Sequence, residues 1–256
     1  MIVAAFNPKG GVGKTTTAIN VAAVLADMGR SALVVDLEAD MNASISVGVR
    51  PAQARVSSAN ALLHECRPSD AVRSIAGVPN LHIIPGTTAL SEMDARLRHA
   101  RQPERRVADV IRPLVPEFEC IILDAPAGYD IVSHGVTMAA EHLILPTRAD
   151  YLALESLAHT LRWFRDRRAA RRGSAEIAGI LMTIVDHRRQ ATREIVDIIR
   201  AHNRHGVMQT EIPEDPRVPE APSHGVPLVH YSRSKAAAAY ERFTHELLTR
   251  MQRRKR

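Results

Sequence analysis

Short apolar runs alternate with longer amphipathic stretches along most of the chain. We expect the apolar runs to form buried strands at residues 2–7, 32–36, 81–84, 120–124, 142–146, 177–184 and 207–210. The amphipathic stretches predict helices at residues 14–28, 57–66, 88–112, 129–140, 151–172, 190–204 and 234–252, and Gly29 is placed to end the first of them. Strands that alternate with helices predict an α/β fold, with a mostly parallel twisted sheet flanked by helices on both faces.

The sequence has no internal repeat and no linker long enough to divide it, so we expect one domain over residues 1–256 with a basic tail at 253–256. The proline-rich stretch 213–227 predicts an ordered loop. Hydrophobic residues make up 45% of the chain but aromatic residues only 4%, so Ala, Val, Ile and Leu must fill the core. No apolar run approaches the ~18–20 residues that span a bilayer. Because the N-terminus has no secretory signal and only Cys66 and Cys120 could pair, we expect a cytoplasmic protein.

The formal net charge of +6 permits attraction to DNA, RNA or anionic lipid without proving any of them. An arginine-rich composition also fits a GC-rich genome. The 12 histidines are scattered and lack ligand spacing, so metal sites other than one for Mg²⁺ have little support.

Residues 9–16 form a glycine-rich loop between the first predicted strand and the first predicted helix. Glycines there allow a tight turn that aims backbone N–H groups inward, and the helix N-terminus favours an anion. Lys14 would reach the β- and γ-phosphates of a nucleotide, and Thr15 would place its hydroxyl on Mg²⁺. The alternative is a glycine turn that binds nothing. The predicted phosphate contacts are Gly10, Gly11, Val12, Gly13, Lys14, Thr15 and Thr16, whereas Lys9, at the start of the loop, could on its own be a solvated surface lysine.

Three acidic residues follow strands that should end near this loop. Asp36 and Glu38 could hold Mg²⁺ through water or orient an attacking water, although Glu38 could also be a solvated loop carboxylate. Asp124 ends an apolar strand, the arrangement that holds Mg²⁺ through water; it could instead cap the following turn. The sequence therefore predicts Mg²⁺-dependent chemistry on a bound nucleotide.

The loop sequence Lys-Gly-Gly-Val-Gly-Lys-Thr-Thr is the deviant Walker A form and resembles the ParA/MinD family of P-loop ATPases. The segments 124–128, 149–155, 181–188 and 212–227 are also similar to family motifs, so the resemblance covers nearly the whole chain. It is specific to the short ParA/Soj branch, which lacks an N-terminal helix-turn-helix domain. Two positions depart from the pattern, because Pro8 stands where many relatives have Gln and Glu38 stands where they have Asp.

The resemblance assigns roles to these positions. It implies that Lys9, Lys14 and Glu38 are catalytic, with Lys9 crossing a dimer interface to the partner's nucleotide. It implies that Thr15 binds Mg²⁺ directly, and Asp36 and Asp124 through water. Because the longer Glu38 side chain shifts its carboxylate by about one methylene, we expect slow intrinsic hydrolysis that depends on a partner. The resemblance also implies that the adenine base of the nucleotide lies near Thr183, Asp186, Pro213, Glu214 and Asp215. It further implies that Arg188 and Arg217 contact DNA, although both could simply be solvated surface residues.

The implied protein is an ATP-dependent, dimerising partitioning ATPase that binds nucleoid DNA without sequence preference and moves a cargo. A ParB-like or cargo-adaptor protein would stimulate its hydrolysis of ATP. Arginines at 162, 165, 168 and 172 share a predicted helix face that could extend the DNA footprint or only be solvated. The alternatives are a MinD-like membrane switch, an iron–sulfur protein, or an adaptor that binds nucleotide without hydrolysing it. We expect no membrane binding, because the apolar residues of the last helix, Tyr240, Phe243, Leu247, Leu248 and Met251, are spaced for core packing.

Overall fold

The computed structural model describes residues 1–50, 56–169, 175–203 and 206–254. Seven strands in this part of the chain form one sheet in the order β3-β4-β2-β5-β1-β6-β7. All neighbouring pairs are parallel except the β3–β4 pair, which is antiparallel. The strands are β1 (Ile2–Ala5), β2 (Ala32–Asp36), β3 (Arg73–Ser74), β4 (Leu81–Ile84), β5 (Cys120–Asp124), β6 (His142–Arg148) and β7 (Glu176–Thr183).

Helices cover both faces of the sheet, as predicted. The described helices are α1 (Lys14–Asp27), α2 (Asn42–Ser46), α3 (Ser58–Leu62), α4 (Met93–Leu97), α5 (Arg106–Ile111), α6 (Ile131–Ala139), α7 (Tyr151–Ala169), α8 (Gln190–His202), α9 (Arg217–Glu220), α10 (Leu228–Tyr231) and α11 (Lys235–Arg254). Short 3-10 turns lie at Pro68–Ala71, Thr88–Glu92, Pro103–Arg105, Arg112–Leu114 and Ala221–His224.

Side chains that alternate along each strand point to opposite faces of the sheet and pack into two separate apolar cores. In β1, Val3 and Ala5 pack with α1, α10 and α11, whereas Ala4 joins the core that includes α5 to α8. Four of the five apolar residues predicted to pack the last helix onto the core are buried, with Tyr240 at 2%, Phe243 and Leu247 at 0% and Met251 at 4% exposure, and Leu248 is partly buried against the same core. Gly29 ends α1 with a φ of 82°, a left-handed conformation that glycine adopts without strain.

Two of the predicted elements are wrong. The predicted strand 207–210 forms only an isolated bridge from Val207 to Ile180, because the N–H groups of Gln209 and Thr210 donate to the Glu246 carboxylate of α11 instead of to a strand. The predicted helix 88–112 is broken into short pieces, since Gln102 has a left-handed φ of 57° and Pro103 follows it.

The remaining differences are smaller. The two-residue edge strand β3 and the short helices α2 and α10 were not predicted, and the predicted helix 57–66 is helical only at Ser58–Leu62. The loop 213–227 contains α9 and the turn Ala221–His224. The predicted ends of two helices, at 170–172 and 204, and the tail residues 255 and 256 lie outside the described residues. Among the helices that the structure describes, none is long and apolar enough to cross a membrane.

Because the strands are parallel, the residues that follow β1, β2, β5, β6 and β7 meet at one edge of the sheet. This carboxyl edge carries the glycine loop and the predicted acidic residues.

Candidate nucleotide site

The glycine loop connects β1 to α1 and is held from both sides. Asn7 donates from Nδ2 to the Pro146 carbonyl over 2.8 Å and accepts from the Lys9 N–H over 2.9 Å. Gly11 and Gly13 have φ values of 71° and 84°, which place their peptide groups in the turn that the motif requires. Thr15 and Thr16 lie in the first turn of α1. The loop therefore presents a helix N-terminus with its backbone N–H groups available to an anion.

Thr183, at the end of β7, supports this loop from behind. Its hydroxyl donates to the Val12 carbonyl over 2.9 Å, and its side chain lies about 4 Å from the position that a Cβ on Gly13 would take. The structure thus places Thr183 against the loop backbone, and its predicted contact with the base stays a prediction.

Lys14 points into the mouth of the loop. Its side chain is 8% exposed, and Nζ donates to the Lys9 carbonyl over 3.3 Å. Burial lowers the pKa of Lys14, while the charges of Asp124 and Glu38 act in the opposite direction. A desolvated ammonium group beside phosphate-binding N–H groups is suited to bind a phosphate.

Lys9, the second lysine of the motif, is ion-paired within its own chain. Its Nζ lies 3.0 Å from Asp150 Oδ1, and the same oxygen accepts from the Ala153 N–H, over 2.9 Å, at the start of α7. Asp150 also lies 3.5 Å from Arg148 Nε. Sequence reasoning missed Asp150, although its position after β6, next to β1, indicates that it lies beside the loop.

Asp36, at the end of β2, is completely buried and fully hydrogen-bonded. Its oxygens accept from the Glu38 N–H (3.2 Å), the Ser44 N–H (2.9 Å) and the Ser44 hydroxyl (2.7 Å). Burial raises the pKa of Asp36, and the bonds from Ser44 and Glu38 oppose that rise. A Cβ on Gly86 would lie 2.9 Å from the Asp36 carboxyl carbon, so glycine is needed there. Neither Ser44 nor Gly86 was predicted as part of the site.

Asp124 pairs in register with Asp36 but differs from it in one respect. It is completely buried, and neither of its carboxylate oxygens has a partner at normal hydrogen-bond geometry, although the Thr15 hydroxyl is close enough to oppose the rise of its pKa. Burial and the neighbouring Asp36 carboxyl raise the pKa of Asp124 well above its usual range. An unpartnered buried carboxyl is expensive, and it marks a position built for a bound cation or a solvated ligand.

These residues fit a Mg²⁺ ion that arrives with a nucleotide. Within the described residues there is no group of three or more His, Cys, Asp or Glu side chains arranged as a metal site. Mg²⁺ does not need one, because it commonly binds through one or two carboxylates, waters and the phosphates of its substrate. The orphaned oxygens of Asp124 are suited to such a role.

Glu38 connects two of the loops at this edge. Its Oε2 accepts from the Ala127 N–H, after β5, over 3.0 Å, and its Oε1 accepts from the Ala39 N–H over 3.2 Å. The longer side chain thus reaches across to the turn that follows Asp124. The carboxylate is partly exposed and ordered by backbone N–H groups, rather than being a freely solvated loop side chain.

The residues predicted near the base come together beside β7. The Val185 N–H donates to the Ile212 carbonyl, and the Glu214 N–H donates back to Val185, so Pro213 lies alongside Val185. Asp215 anchors this segment by accepting from the Arg217 and Ala236 N–H groups over 2.9 and 3.2 Å.

Asp186 is bound by arginines. Arg188 donates to its two oxygens over 2.8 and 3.0 Å, and Arg189 lies 3.3 Å away. The Arg188 hydrogen bonds lower the pKa of Asp186 to about 2. Arg189 also pairs with Glu214 over 3.0 Å and so links the two loops.

The two predicted DNA contacts lie on these loops. The side chain of Arg188 is 88% exposed, and that of Arg217 is 54% exposed and pairs with Glu220 over 2.7 Å. On α7, Arg162, Arg165 and Arg168 are exposed as predicted, but Arg167 is buried. Arg171 and Arg172 lie outside the described residues.

The chain is similar to known proteins over almost its full length. A family model described as an AAA domain matches residues 1–173. The chromosome partitioning protein ParA of Myxococcus xanthus is 31% identical over 250 residues, covering 97% of this chain and 88% of that protein. The chromosome-partitioning ATPase Soj of Thermus thermophilus is 33% identical over 253 residues, covering 98% and 96%.

A solved structure also matches. Cobyrinic acid a,c-diamide synthase from Mycobacterium smegmatis, with bound ADP and magnesium, superposes with a TM-score of 0.85 at 25% identity, covering 98% of this chain and 95% of that one.

Proposed function

Since this chain belongs to the ParA/Soj family of partitioning ATPases, we propose that it is an Mg²⁺- and ATP-dependent switch that dimerises, binds DNA and positions a cargo. The two relatives described above, at 31% and 33% identity, are partitioning proteins, which favours this activity over that of the diamide synthase at 25% identity. The observation that carries the proposal is the convergence of Lys14, Asp124 and Glu38 at the glycine loop.

Each of these side chains has a distinct role in the proposal. The loop N–H groups and Lys14 hold the phosphates, and Thr15 and Asp124, with Asp36 behind it, hold Mg²⁺. The metal supplies charge neutralisation for the phosphates. Glu38 orients the attacking water, and its bonds to Ala127 and Ala39 keep it in place. Because the carboxylate is already engaged by two N–H groups, turnover of the protein alone is slow.

The proposed dimer requires Lys9 to change partners. In the isolated chain its ammonium group is paired with Asp150. That pair is partly exposed, with side-chain exposures of 28% and 36%, so it costs little to break. Lys9 can then reach the phosphates of a nucleotide held by a second copy.

The proposed DNA contacts are Arg188 and Arg217, and the proposed location is the nucleoid in the cytoplasm. Arg188 lies on an exposed loop and Arg217 begins α9, just after the segment 213–215 predicted to hold the adenine base. The Arg189–Glu214 ion pair joins the Arg188 loop to that segment. Guanidinium groups form bidentate hydrogen bonds to phosphate oxygens, and such contacts do not depend on the base sequence. A cargo-bound partner of ParB-like or adaptor type would trigger hydrolysis and release.

The test is DNA binding with and without ATP. The double variant Arg188→Ala, Arg217→Ala should lose ATP-dependent binding to random-sequence duplex while keeping its affinity for a fluorescent ATP analogue. Liposome pelleting with ATP is the parallel arm for a membrane switch. Unchanged DNA affinity in the double variant would reject the DNA assignment, and ATP-dependent pelleting would favour the membrane alternative.

A further inference from the structure

A second group of arginines lies away from the carboxyl edge, and no part of the proposed nucleotide cycle uses it. We define the α7 arginine surface as Arg98, Arg101 and Arg105, before α5, together with Arg162, Arg165 and Arg168 on α7. All six side chains are exposed.

The two halves of the α7 arginine surface are fixed against each other by a buried arginine. Arg167 of α7 donates to Glu104 over 3.2 Å and lies 3.0 Å from His134 of α6. Its guanidinium carbon also lies 5.0 Å from the centre of the Trp163 ring. Because Glu104 directly precedes Arg105, this contact places Arg105 beside α7, and Arg98 and Arg101 lie on the segment that leads up to it.

The charges on this surface are not neutralised within the chain. Among the described residues, Arg98, Arg101, Arg105, Arg162 and Arg165 form no ion pair, whereas Arg168 reaches Glu176 only at 3.7 Å. The predicted DNA contacts Arg188 and Arg217 are each paired with a carboxylate. Like charges held together on one face repel each other, and a polyanion would relieve that repulsion.

The composition of the surface favours nucleic acid over a protein partner. Protein interfaces are centred on large apolar or aromatic anchors. The exposed large hydrophobic residues of the described chain are Met28, Ile45, Val115, Tyr151, Leu152 and Ile198, and none of them belongs to the α7 arginine surface. Leu161, Phe164 and Ile177 line a cleft beside Arg165 and Arg168, but they are buried or half-buried. The exposed side chains of the surface are therefore arginines, which is typical of contacts to a phosphate backbone.

Its position separates this surface from the Arg188 and Arg217 loops. Helix α7 begins at the carboxyl edge with Tyr151 and runs back along the sheet. At 1.5 Å per residue, Arg165 lies ~20 Å from that edge.

We propose that the α7 arginine surface is a second, sequence-independent contact site for the phosphate backbone of duplex DNA. This inference rests on the proposed DNA binding. It extends the footprint from the two loops at the carboxyl edge to the opposite end of α7.

The test is the salt dependence of DNA affinity for the full chain with Mg²⁺ and ATP, read by anisotropy of a labelled random-sequence duplex. The variant Arg162→Gln, Arg165→Gln removes two charges from the surface. Its control, Arg67→Gln, Arg112→Gln, also removes two exposed arginines: Arg67, which precedes the 3-10 turn Pro68–Ala71 and pairs with Asp70, and Arg112, which begins the neighbouring turn Arg112–Leu114. Thermal melting and basal ATP turnover verify that both variants fold.

We expect the slope of log affinity against log salt to become shallower by up to about 0.9 for each lost phosphate contact, or about 1.8 for the pair. The control should keep the wild-type slope. Equal slopes in the two variants, with the Arg188/Arg217 effect intact, would overturn this inference alone. Absence of DNA binding by the wild type would overturn the proposed function as well, and loss of a partner's stimulation with the DNA slope unchanged would assign the surface to an acidic protein.

Discussion

Asp124 leads to a prediction in which a residue needed for ATP turnover lowers the stability of the folded protein. Its carboxyl is completely buried, and neither oxygen has a partner at normal hydrogen-bond geometry, although the Thr15 hydroxyl is close enough to oppose the rise of its pKa. The substitution Asp124→Asn keeps the volume and removes the charge. We expect the nucleotide-free variant to be more stable than the wild type and to lose ATP turnover.

The magnitude follows from what the buried charge costs. An unsatisfied buried polar group costs about 1–3 kcal/mol, and a charged one more. The attraction between Asp124 and Lys14 offsets part of that cost, and the amide of Asn keeps part of it. We therefore expect a gain of about 1–2 kcal/mol, which for a chain of this size raises Tm by about 2–8 °C.

The gain should depend on pH in a defined direction. The pKa of Asp124 is raised in the folded state, so above about pH 4 the unfolded chain releases a proton that the folded chain keeps. The stabilisation that the protonated Asp124 carboxyl contributes is fully present below that pH, and it is lost as the pH rises through the pKa of Asp124 in the folded protein. The variant lacks this titration, so its advantage should be small at acidic pH and larger at pH 8.

Asp36→Asn is the matched control, because Asp36 is equally buried and lies opposite Asp124 in the sheet. Its oxygens accept three hydrogen bonds, so an amide group there would face donors and cost about 1–3 kcal/mol. Scanning fluorimetry at several pH values would compare the Tm of the Asp124→Asn and Asp36→Asn variants with that of the wild type. Destabilisation by Asp124→Asn at pH 8, equal to that of Asp36→Asn, would refute the reasoning.

Two further predictions concern residues around these carboxyls. Glu38→Gln keeps an acceptor for the Ala127 N–H but removes the carboxylate charge that orients the attacking water, so ATP turnover should fall by about 10²–10⁴-fold with nucleotide affinity unchanged. Unaltered phosphate release would show that Glu38 is not the group that orients water. Gly86→Ala places a methyl 2.9 Å from the Asp36 carboxyl carbon, which should lower the free energy of unfolding by about 1–3 kcal/mol. If the carboxyl moves by ~1 Å, ATP turnover should also fall by up to about 10²-fold. A variant with the wild-type Tm and turnover would show that the site accommodates the methyl group.

Strands β2, β4 and β5 have the predicted boundaries because each is a short apolar run whose ends coincide with polar or turn residues. The glycine loop was equally predictable from the sequence, since the strand, the glycines and the helix follow one another in the chain. The prediction failed at 207–210, where hydrogen bonds to Glu246 from another part of the chain decide the backbone conformation.

The site residues that sequence reasoning missed are those whose importance comes from packing across the edge. Gly86 matters because it lies against Asp36, 50 positions earlier in the sequence. Asp150 matters because it meets Lys9. No local pattern encodes either contact. Both follow strands that neighbour the site, and the strand order became available only with the fold.

The central claim is that ATP joins two copies of this chain through Lys9. Sedimentation of the purified protein with Mg²⁺ and a slowly hydrolysed ATP analogue tests it most directly. The account predicts that the 28.1 kDa chain doubles in mass with ATP and not with ADP. It also predicts that Lys9→Ala stays monomeric while still binding nucleotide. A wild type that remains monomeric with saturating ATP, or a Lys9→Ala variant that dimerises as well as the wild type, would contradict it.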